Sequence, residues 1–130
     1  MLFAVLLVAP STTYPANPDP EDILSMSGGD LTIDEMIENT FPEKAELMSR
    51  VSFCESGKKQ FYENNEPVIG PTDDWGLFQI HRPTWHKKAK EMGLDYKNST
   101  RDNIKMARYI YDTQGISAWQ PSRHCWNMAR

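Results

Sequence analysis

The chain has 130 residues, of which 39% are hydrophobic and 11% are aromatic. This length and composition predict one domain with a modest core, and they exclude a chain that is disordered throughout. The net charge of -4 is uneven: nine acidic residues and one basic residue through Glu46 give -8, and nine acidic and 13 basic residues from Leu47 onward give +4. The cationic second part suits an anionic polymer such as a bacterial wall, although a solvated surface of mixed charge is the commoner interpretation.

The first 30 residues are predicted to be an N-terminal apolar segment followed by a Pro-rich acidic arm. The run from Met1 to Ala9 is apolar but too short to span a bilayer. It lacks the basic residues that usually begin a secretory signal, so a truncated gene start, a short signal and a buried N-terminal strand all remain open. Residues 10–20 contain four prolines and no apolar periodicity, which is typical of a linker.

Two helices are predicted next. Thr32 and Glu35 have the spacing of a capping box, which predicts a short helix that continues to Phe41. Pro42 suits the first turn of a second helix, which extends to about residue 55 and ends at Gly57.

A small β region is predicted after the second helix. The segment over residues 58–71 is polar and rich in turn residues, with short extended pieces at residues 60–62 and 67–69. Residues 75–80, WGLFQI, are predicted to form a short buried strand or extended segment.

Helical spacing returns in the last third of the chain. It covers residues 84–92, before Gly93, and residues 100–113, before Gly115. Residues 116–126 are predicted to form an aromatic loop. The fold class that follows is α+β, mostly α, with a small β region between the two halves.

The cysteines and histidines restrict the kinds of site that the chain can build. Cys54 and Cys125 permit one disulfide, and two buried free thiols are the alternative. Since His81, His86 and His124 have no ligand spacing, we interpret them as ordinary surface or core histidines and predict no metal and no cofactor.

Glu55 is the most informative candidate for catalysis. It lies at the end of the second predicted helix, on the side that also carries Leu47, Met48 and Val51. An apolar pocket disfavours the charged form of a carboxylate, so it keeps a general acid protonated near neutral pH. Trp119 is a candidate wall of this pocket. A structural carboxylate that bonds a neighbouring loop is the alternative explanation for Glu55.

A second carboxylate, Asp74 or Asp73, comes just before the apolar segment WGLFQI. Two carboxylates in unlike surroundings suggest glycoside cleavage, in which one donates a proton and the other stabilises or attacks the developing cation. By itself, the Asp73-Asp74 pair is better explained as a solvated turn.

Several side chains near these carboxylates suit a sugar substrate. The amide of Gln79 offers a donor and an acceptor for an N-acetyl group or a hydroxyl. Trp75, Trp119, Tyr62 and Phe78 offer flat faces for sugar rings, although large aromatic residues more often fill a core.

An ordered set of motifs resembles the lysozyme-like superfamily, which includes soluble lytic transglycosylases, resuscitation-promoting factors, and c-type and g-type lysozymes. The set covers about residues 33–126 and consists of Cys54-Glu55-Ser56-Gly57, the WGLFQI segment, Asn103-Ile104 at a helix start, and Gly115 and Trp119 before Cys125. The resemblance implies a lysozyme-like catalytic domain over residues 31–130, with its β region beside the catalytic helix.

The resemblance also implies roles for individual residues. The glutamate of the superfamily's E-S motif is the general acid, which corresponds to Glu55. The stretch DWGLFQI looks closest to the c-type strand whose aspartate is the second carboxylate, which favours Asp74. Trp119 is similar to the c-type tryptophan beside the catalytic glutamate. A cysteine directly before the glutamate, with its partner near the C-terminus, is similar to resuscitation-promoting factors and predicts a Cys54–Cys125 disulfide.

The activity implied is a peptidoglycan glycosidase that cleaves the β-1,4 bond between N-acetylmuramic acid and N-acetylglucosamine, with Ser56 and Gln79 orienting the glycan. The other c-type disulfides and the A-Y-N-A-G motif of soluble lytic transglycosylases are missing. Hydrolysis and formation of a 1,6-anhydro product therefore both remain open, as does a non-catalytic peptidoglycan-binding module. We expect a secreted, wall-associated or virion-associated monomer that binds glycan strands, without nucleic acid or a stable membrane span.

Overall fold

The computed structural model describes residues 30–127. These residues are mostly helical with one small antiparallel sheet, which confirms the predicted α+β, mostly α class. The elements in chain order are α1 (Ile33–Thr40), α2 (Ala45–Ser56), β1 (Asp74–Trp75), β2 (Ile80–His81), α3 (Arg82–Glu91), α4 (Thr100–Gln114), a 3-10 segment (Gly115–Ser122) and α5 (Arg123–Trp126). Apart from Asp30, the predicted apolar segment and Pro-rich arm lie outside the described residues.

The first two helices begin and end for local reasons. The predicted capping box is present: Glu35 donates its backbone N–H to Thr32 Oγ1, and the Glu35 carboxylate accepts the backbone N–H of Thr32. The second helix begins at Ala45, later than predicted, because Pro42 lies in a turn that precedes it. It ends as predicted at Gly57, whose φ of 69° is left-handed.

Residues 75–80 form a hairpin, where the sequence had predicted one continuous extended segment. Trp75 pairs with Ile80 and Asp74 pairs with His81. The chain reverses between the strands because Gly76 and Gln79 have positive φ values of 78° and 49°. The predicted extended pieces nearby form only isolated bridges, at residues 61 with 67 and 69 with 75.

Two buried amide side chains fix the hairpin turn in place. Gln60 Oε1 accepts the backbone N–H of Leu77 at 2.8 Å, and Asn103 Oδ1 accepts the backbone N–H of Phe78 at 3.0 Å. Gly76 lies so close to these amides that a Cβ there would be 2.4 Å from Asn103 Nδ2. A glycine is therefore required both by the backbone angle and by the lack of space.

The C-terminal residues form a 3-10 segment and a short helix, where the sequence had predicted a loop. Indole hydrogen bonds hold this region: Trp119 Nε1 donates to Phe78 O at 3.0 Å, and Trp126 Nε1 donates to Trp119 O at 2.9 Å. The predicted disulfide is confirmed, with the Cα atoms of Cys54 and Cys125 5.9 Å apart, and it joins α2 to α5.

The hydrophobic core lies between the helices and the inner side of the hairpin. Its most buried members include Ile37 of α1 and Phe41 at its end, Met48 and Val51 of α2, Leu77, Phe78 and Ile80 of the hairpin, and Ile104, Met106, Ala107 and Ile110 of α4. Within residues 30–127, none of the helices has the length and apolar character needed to cross a membrane.

Candidate active site

A cleft of about 340 Å³ lies beside the hairpin and the 3-10 segment. Four of the residues that the sequence singled out for the site line it: Glu55, Asp74, Gln79 and Trp119. The remaining lining residues are Thr72, Ile80, His81, Trp85, Ile110, Ala118 and Pro121. The cleft therefore joins the end of α2, the hairpin and the C-terminal segment, which are far apart in the sequence.

Glu55 occupies a half-buried position in the last turn of α2. Burial raises the pKa of its carboxyl group, because the charged form loses hydration. A hydrogen bond of 2.6 Å from Ser122 Oγ to Glu55 Oε1 opposes this effect, and the negative charge of Asp74 raises the pKa further. Glu55 consequently keeps its proton at a higher pH than an exposed glutamate, as a general acid requires.

Asp74 has a more polar environment than Glu55. Its Oδ1 lies 2.9 Å from His81 Nδ1, and its Oδ2 accepts a hydrogen bond from the hydroxyl of Thr72. The side chain is 21% exposed. Each oxygen of the Asp74 side chain therefore has a polar partner beside the cleft.

Asp73, the alternative to Asp74, does not line the cleft. Its carboxylate pairs with Arg82, and it accepts a hydrogen bond of 2.7 Å from Trp75 Nε1. The hydrogen bond from Arg82 lowers the pKa of Asp73. Asp73 therefore has a structural role at the hairpin, while its neighbour faces the candidate site.

Gln79 and Trp119 line the cleft, but their side chains are less available to a substrate than the sequence predicted. Gln79 Nε2 donates to Gly76 O at 3.0 Å and lies 3.5 Å from Val68 O, so its donors stabilise the turn. Trp119 is only 4% exposed, so it contributes a buried wall and not an open platform for a sugar.

Three predicted substrate-binding residues are not brought to the cleft. Ser56 donates to Leu77 O at 2.7 Å and so ties the end of α2 to the hairpin turn. Trp75 stacks on Tyr96 at 5.2 Å between ring centroids. Tyr62 is 49% exposed and does not line the cleft.

Sequence reasoning missed three residues that contact the two carboxylates: Ser122, Thr72 and His81. His81, which the sequence did not single out for the site, lies in the cleft and bonds Asp74. A correct hairpin prediction would have found it, since the register places residues 74 and 81 opposite each other. Ser122 had no such signal, because its contact with Glu55 spans 67 positions.

The part of the chain that the structure describes contains no group of three or more His, Cys, Asp or Glu side chains that could hold a metal ion.

The sequence matches no protein-family model, and comparisons with curated proteins and with solved structures also give no match. Any assignment of function therefore depends on the chemistry of the cleft.

Proposed function

We propose that the chain is a peptidoglycan glycosidase with a lysozyme-like domain, a muramidase that cleaves the β-1,4 bond between N-acetylmuramic acid and N-acetylglucosamine. The observation that carries this proposal is the pairing of unlike carboxylates in one cleft. Burial raises the pKa of Glu55, whereas each oxygen of Asp74 has a polar partner. Such a division between an acid and an ionised partner is the pattern that glycoside cleavage uses.

The roles follow from the two environments. Glu55 donates its proton to the glycosidic oxygen as the bond to C1 of N-acetylmuramic acid breaks. Positive charge develops on the sugar ring as this bond breaks, and the negative charge of Asp74 stabilises it. The oxygen of a water molecule bonds C1, and that water releases a proton. The ionised Glu55 accepts the hydrogen bond from Ser122.

Two further observations support a substrate outside the cell. The Cys54–Cys125 disulfide is typical of proteins that work in an oxidising compartment. The residues from Leu47 onward, which include every described residue of the cleft lining, carry a charge of +4 from 13 basic and nine acidic residues, and this charge suits an anionic wall polymer.

The second candidate is a lytic transglycosylase that acts on the same bond. Thr72 and His81 occupy both oxygens of Asp74, which favours charge stabilisation over a covalent bond between Asp74 and the sugar. A reaction that uses Glu55 as its one essential carboxylate, with the C6 hydroxyl of the muramic sugar as nucleophile, is compatible with this arrangement. It would give 1,6-anhydro ends.

The test is digestion of isolated peptidoglycan by the full chain, with mass spectrometry of the soluble fragments. Reducing-end muropeptides are expected from the wild type, and Glu55→Gln should slow their release by about two to four orders of magnitude. Glu63→Gln, at an exposed glutamate outside the cleft, is the matched control and should remain active. Anhydro ends would assign a transglycosylase, and fragments that do not depend on Glu55 would contradict the proposal. An absence of fragments from several wall types, with retained wall binding, would instead indicate a binding module.

A further inference from the structure

His81 and Asp74 form a pair that the proposed roles of Glu55 and Asp74 do not explain. They are opposite residues in the hairpin register, and His81 Nδ1 lies 2.9 Å from Asp74 Oδ1. Both side chains line the cleft. The pairing is built into the turn that Gln60 and Asn103 hold in place.

The chemistry of the pair determines which ring nitrogen of His81 has a lone pair that can accept a proton. An ionised carboxylate only accepts hydrogen bonds, so Nδ1 must carry the hydrogen that Asp74 receives. In a neutral imidazole, the lone pair is then on Nε2. Across residues 30–127 no hydrogen bond to Nε2 is present, and the His81 side chain is 42% exposed. The carboxylate thus fixes the tautomer in which Nε2 is the base, on a side chain that lines the cleft.

We propose that His81 is the general base that activates the attacking water in this reaction. This inference rests on the proposed glycosidase function and adds a catalytic residue to it. His81 Nε2 takes a proton from water as the water oxygen bonds C1 of the muramic sugar. The bond from C1 to the glycosidic oxygen breaks in the same step, and that oxygen takes the proton of Glu55. Proton transfer from imidazolium to the ionised Glu55 through solvent restores both groups.

The inference requires that the water activated by His81 attacks C1 from the side of the sugar that is remote from the acid. Glu55 is carried by α2 and bonded by Ser122 from the C-terminal segment, whereas His81 and Asp74 belong to the hairpin, so the acid and the base come to the cleft from separate parts of the fold. Asp74 then orients the imidazole and balances the charge that His81 gains, and it forms no bond to the sugar. Water that displaces the leaving group from the remote side inverts the configuration at C1.

The first test needs no variant. The full chain is added to a soluble glycan-strand fragment of alternating N-acetylglucosamine and N-acetylmuramic acid, and proton NMR follows the new reducing end before mutarotation. The inference predicts that the α-anomer appears first. First appearance of the β-anomer, or of 1,6-anhydro ends, would overturn it, because neither requires a base on the remote side.

The second test separates a base from a positioning residue. His81→Asn keeps an N–H group that can reach Asp74 but has no counterpart of Nε2, whereas His81→Ala loses both. If His81 is the base, both variants should lose about 100-fold or more in kcat with little change in KM. If His81 only positions Asp74, His81→Asn should stay close to wild type, which would overturn the inference. His86→Asn, at a histidine outside the cleft lining, is the control and should keep its kcat.

The failure of this inference is distinguishable from the failure of the proposed function. If the wild type releases fragments that depend on Glu55 and His81→Asn is as active, only the role of His81 is wrong. If the wild type releases no fragments that depend on Glu55, the proposed function is wrong, and the role of His81 falls with it. Circular dichroism and thermal unfolding of each variant show whether a loss of activity is a loss of fold.

Discussion

The hydroxyl of Ser122 lies 2.6 Å from Glu55 Oε1 and 3.1 Å from the backbone carbonyl of Trp119. A hydroxyl has a single hydrogen, so it can donate to only one of these acceptors at a time. When Glu55 is ionised, Ser122 donates to it. When Oε1 carries a proton, Ser122 can accept that proton's hydrogen bond and donate to Trp119 O. Ser122 can therefore bond Glu55 in both protonation states.

Replacement of Ser122 by alanine should move the alkaline limit of activity to higher pH. The hydrogen bond from Ser122 stabilises the ionised carboxylate and so lowers the pKa of Glu55, against the larger effect of burial. Without it the pKa rises further, and Glu55 stays protonated to a higher pH. The measurement is kcat/KM against pH for the wild type and Ser122→Ala.

Ser117→Ala provides the control for this change. Ser117 lies in the same 3-10 segment and is exposed, and its hydroxyl bonds Gln114 O at 2.7 Å. Its pH profile should match that of the wild type. An alkaline limit that stays in place in Ser122→Ala, or moves to lower pH, would show that this hydrogen bond does not control the active acid.

The buried carboxyl group of Glu55 should reduce stability at neutral pH. The pKa of Glu55 is raised in the folded state, so the contribution of this group to stability is complete at a pH below its pKa in the unfolded chain. That contribution is lost as the pH rises through the pKa of Glu55 in the folded state. The side-chain amide that replaces this carboxyl group in Glu55→Gln does not titrate. The variant should therefore gain stability relative to the wild type as the pH rises.

Urea unfolding of the wild type and Glu55→Gln, at intervals from about pH 3.5 to about pH 7.5, measures this difference. The expected result is a difference in the free energy of unfolding that grows in favour of the variant. The Glu63→Gln control should show no such trend, since Glu63 is exposed. A parallel pH dependence for wild type and Glu55→Gln would contradict the raised pKa.

The sequence predicted the helices well because their signals are local. The Thr32 capping box and the ends of helices at Gly57 and Gly115 are read within a few residues of the boundary. The hairpin was missed because its turn depends on Gln60 and Asn103, which are distant in sequence and bond its backbone from outside. A short apolar run of this kind does not reveal such partners.

The residues of the candidate site likewise include some that the sequence predicted and some that it did not. The motifs directed attention to Glu55 and Asp74, and the structure places both in one cleft. The residues that bond them, Ser122 and His81, come from a segment predicted as a loop and from the far strand of an unpredicted hairpin. The Ser122 contact depends on tertiary packing, and the His81 contact depends on the register of the hairpin, so the motifs themselves specify neither.

Gly76→Ala should destabilise the fold more than the same change at Gly93. Both glycines have positive φ, 78° and 71°, so alanine at either position costs roughly 1–2 kcal/mol in backbone strain. At Gly93 nothing lies within 4 Å of the added Cβ, whereas at Gly76 the Cβ would meet Asn103 Nδ2 at 2.4 Å. The change at Gly76 should therefore cost about 3 kcal/mol or more, because the buried amides must move. Chemical denaturation of the two variants gives the comparison, and equal losses would refute the role of the amides.

Removal of the disulfide should affect both stability and the environment of Glu55. The bridge closes a loop with a sequence separation of 71, for which the chain-entropy model gives about 4 kcal/mol. Cys54 directly precedes Glu55, and Cys125 lies in α5, just after Ser122. The double variant Cys54→Ala/Cys125→Ala should therefore unfold at lower urea concentration and, at temperatures where it is folded, hold Ser122 less firmly against Glu55.

The pH profile distinguishes this second effect from simple loss of stability. If the bridge keeps Ser122 on Glu55, the alkaline limit of the double cysteine variant should move to higher pH, in the same direction as in Ser122→Ala. Adding Ser122→Ala to the double variant should then move it little further, because the two changes remove the same hydrogen bond. If the shifts of the alkaline limit from the two changes add fully, the disulfide stabilises the fold without acting on the Ser122 hydrogen bond to Glu55.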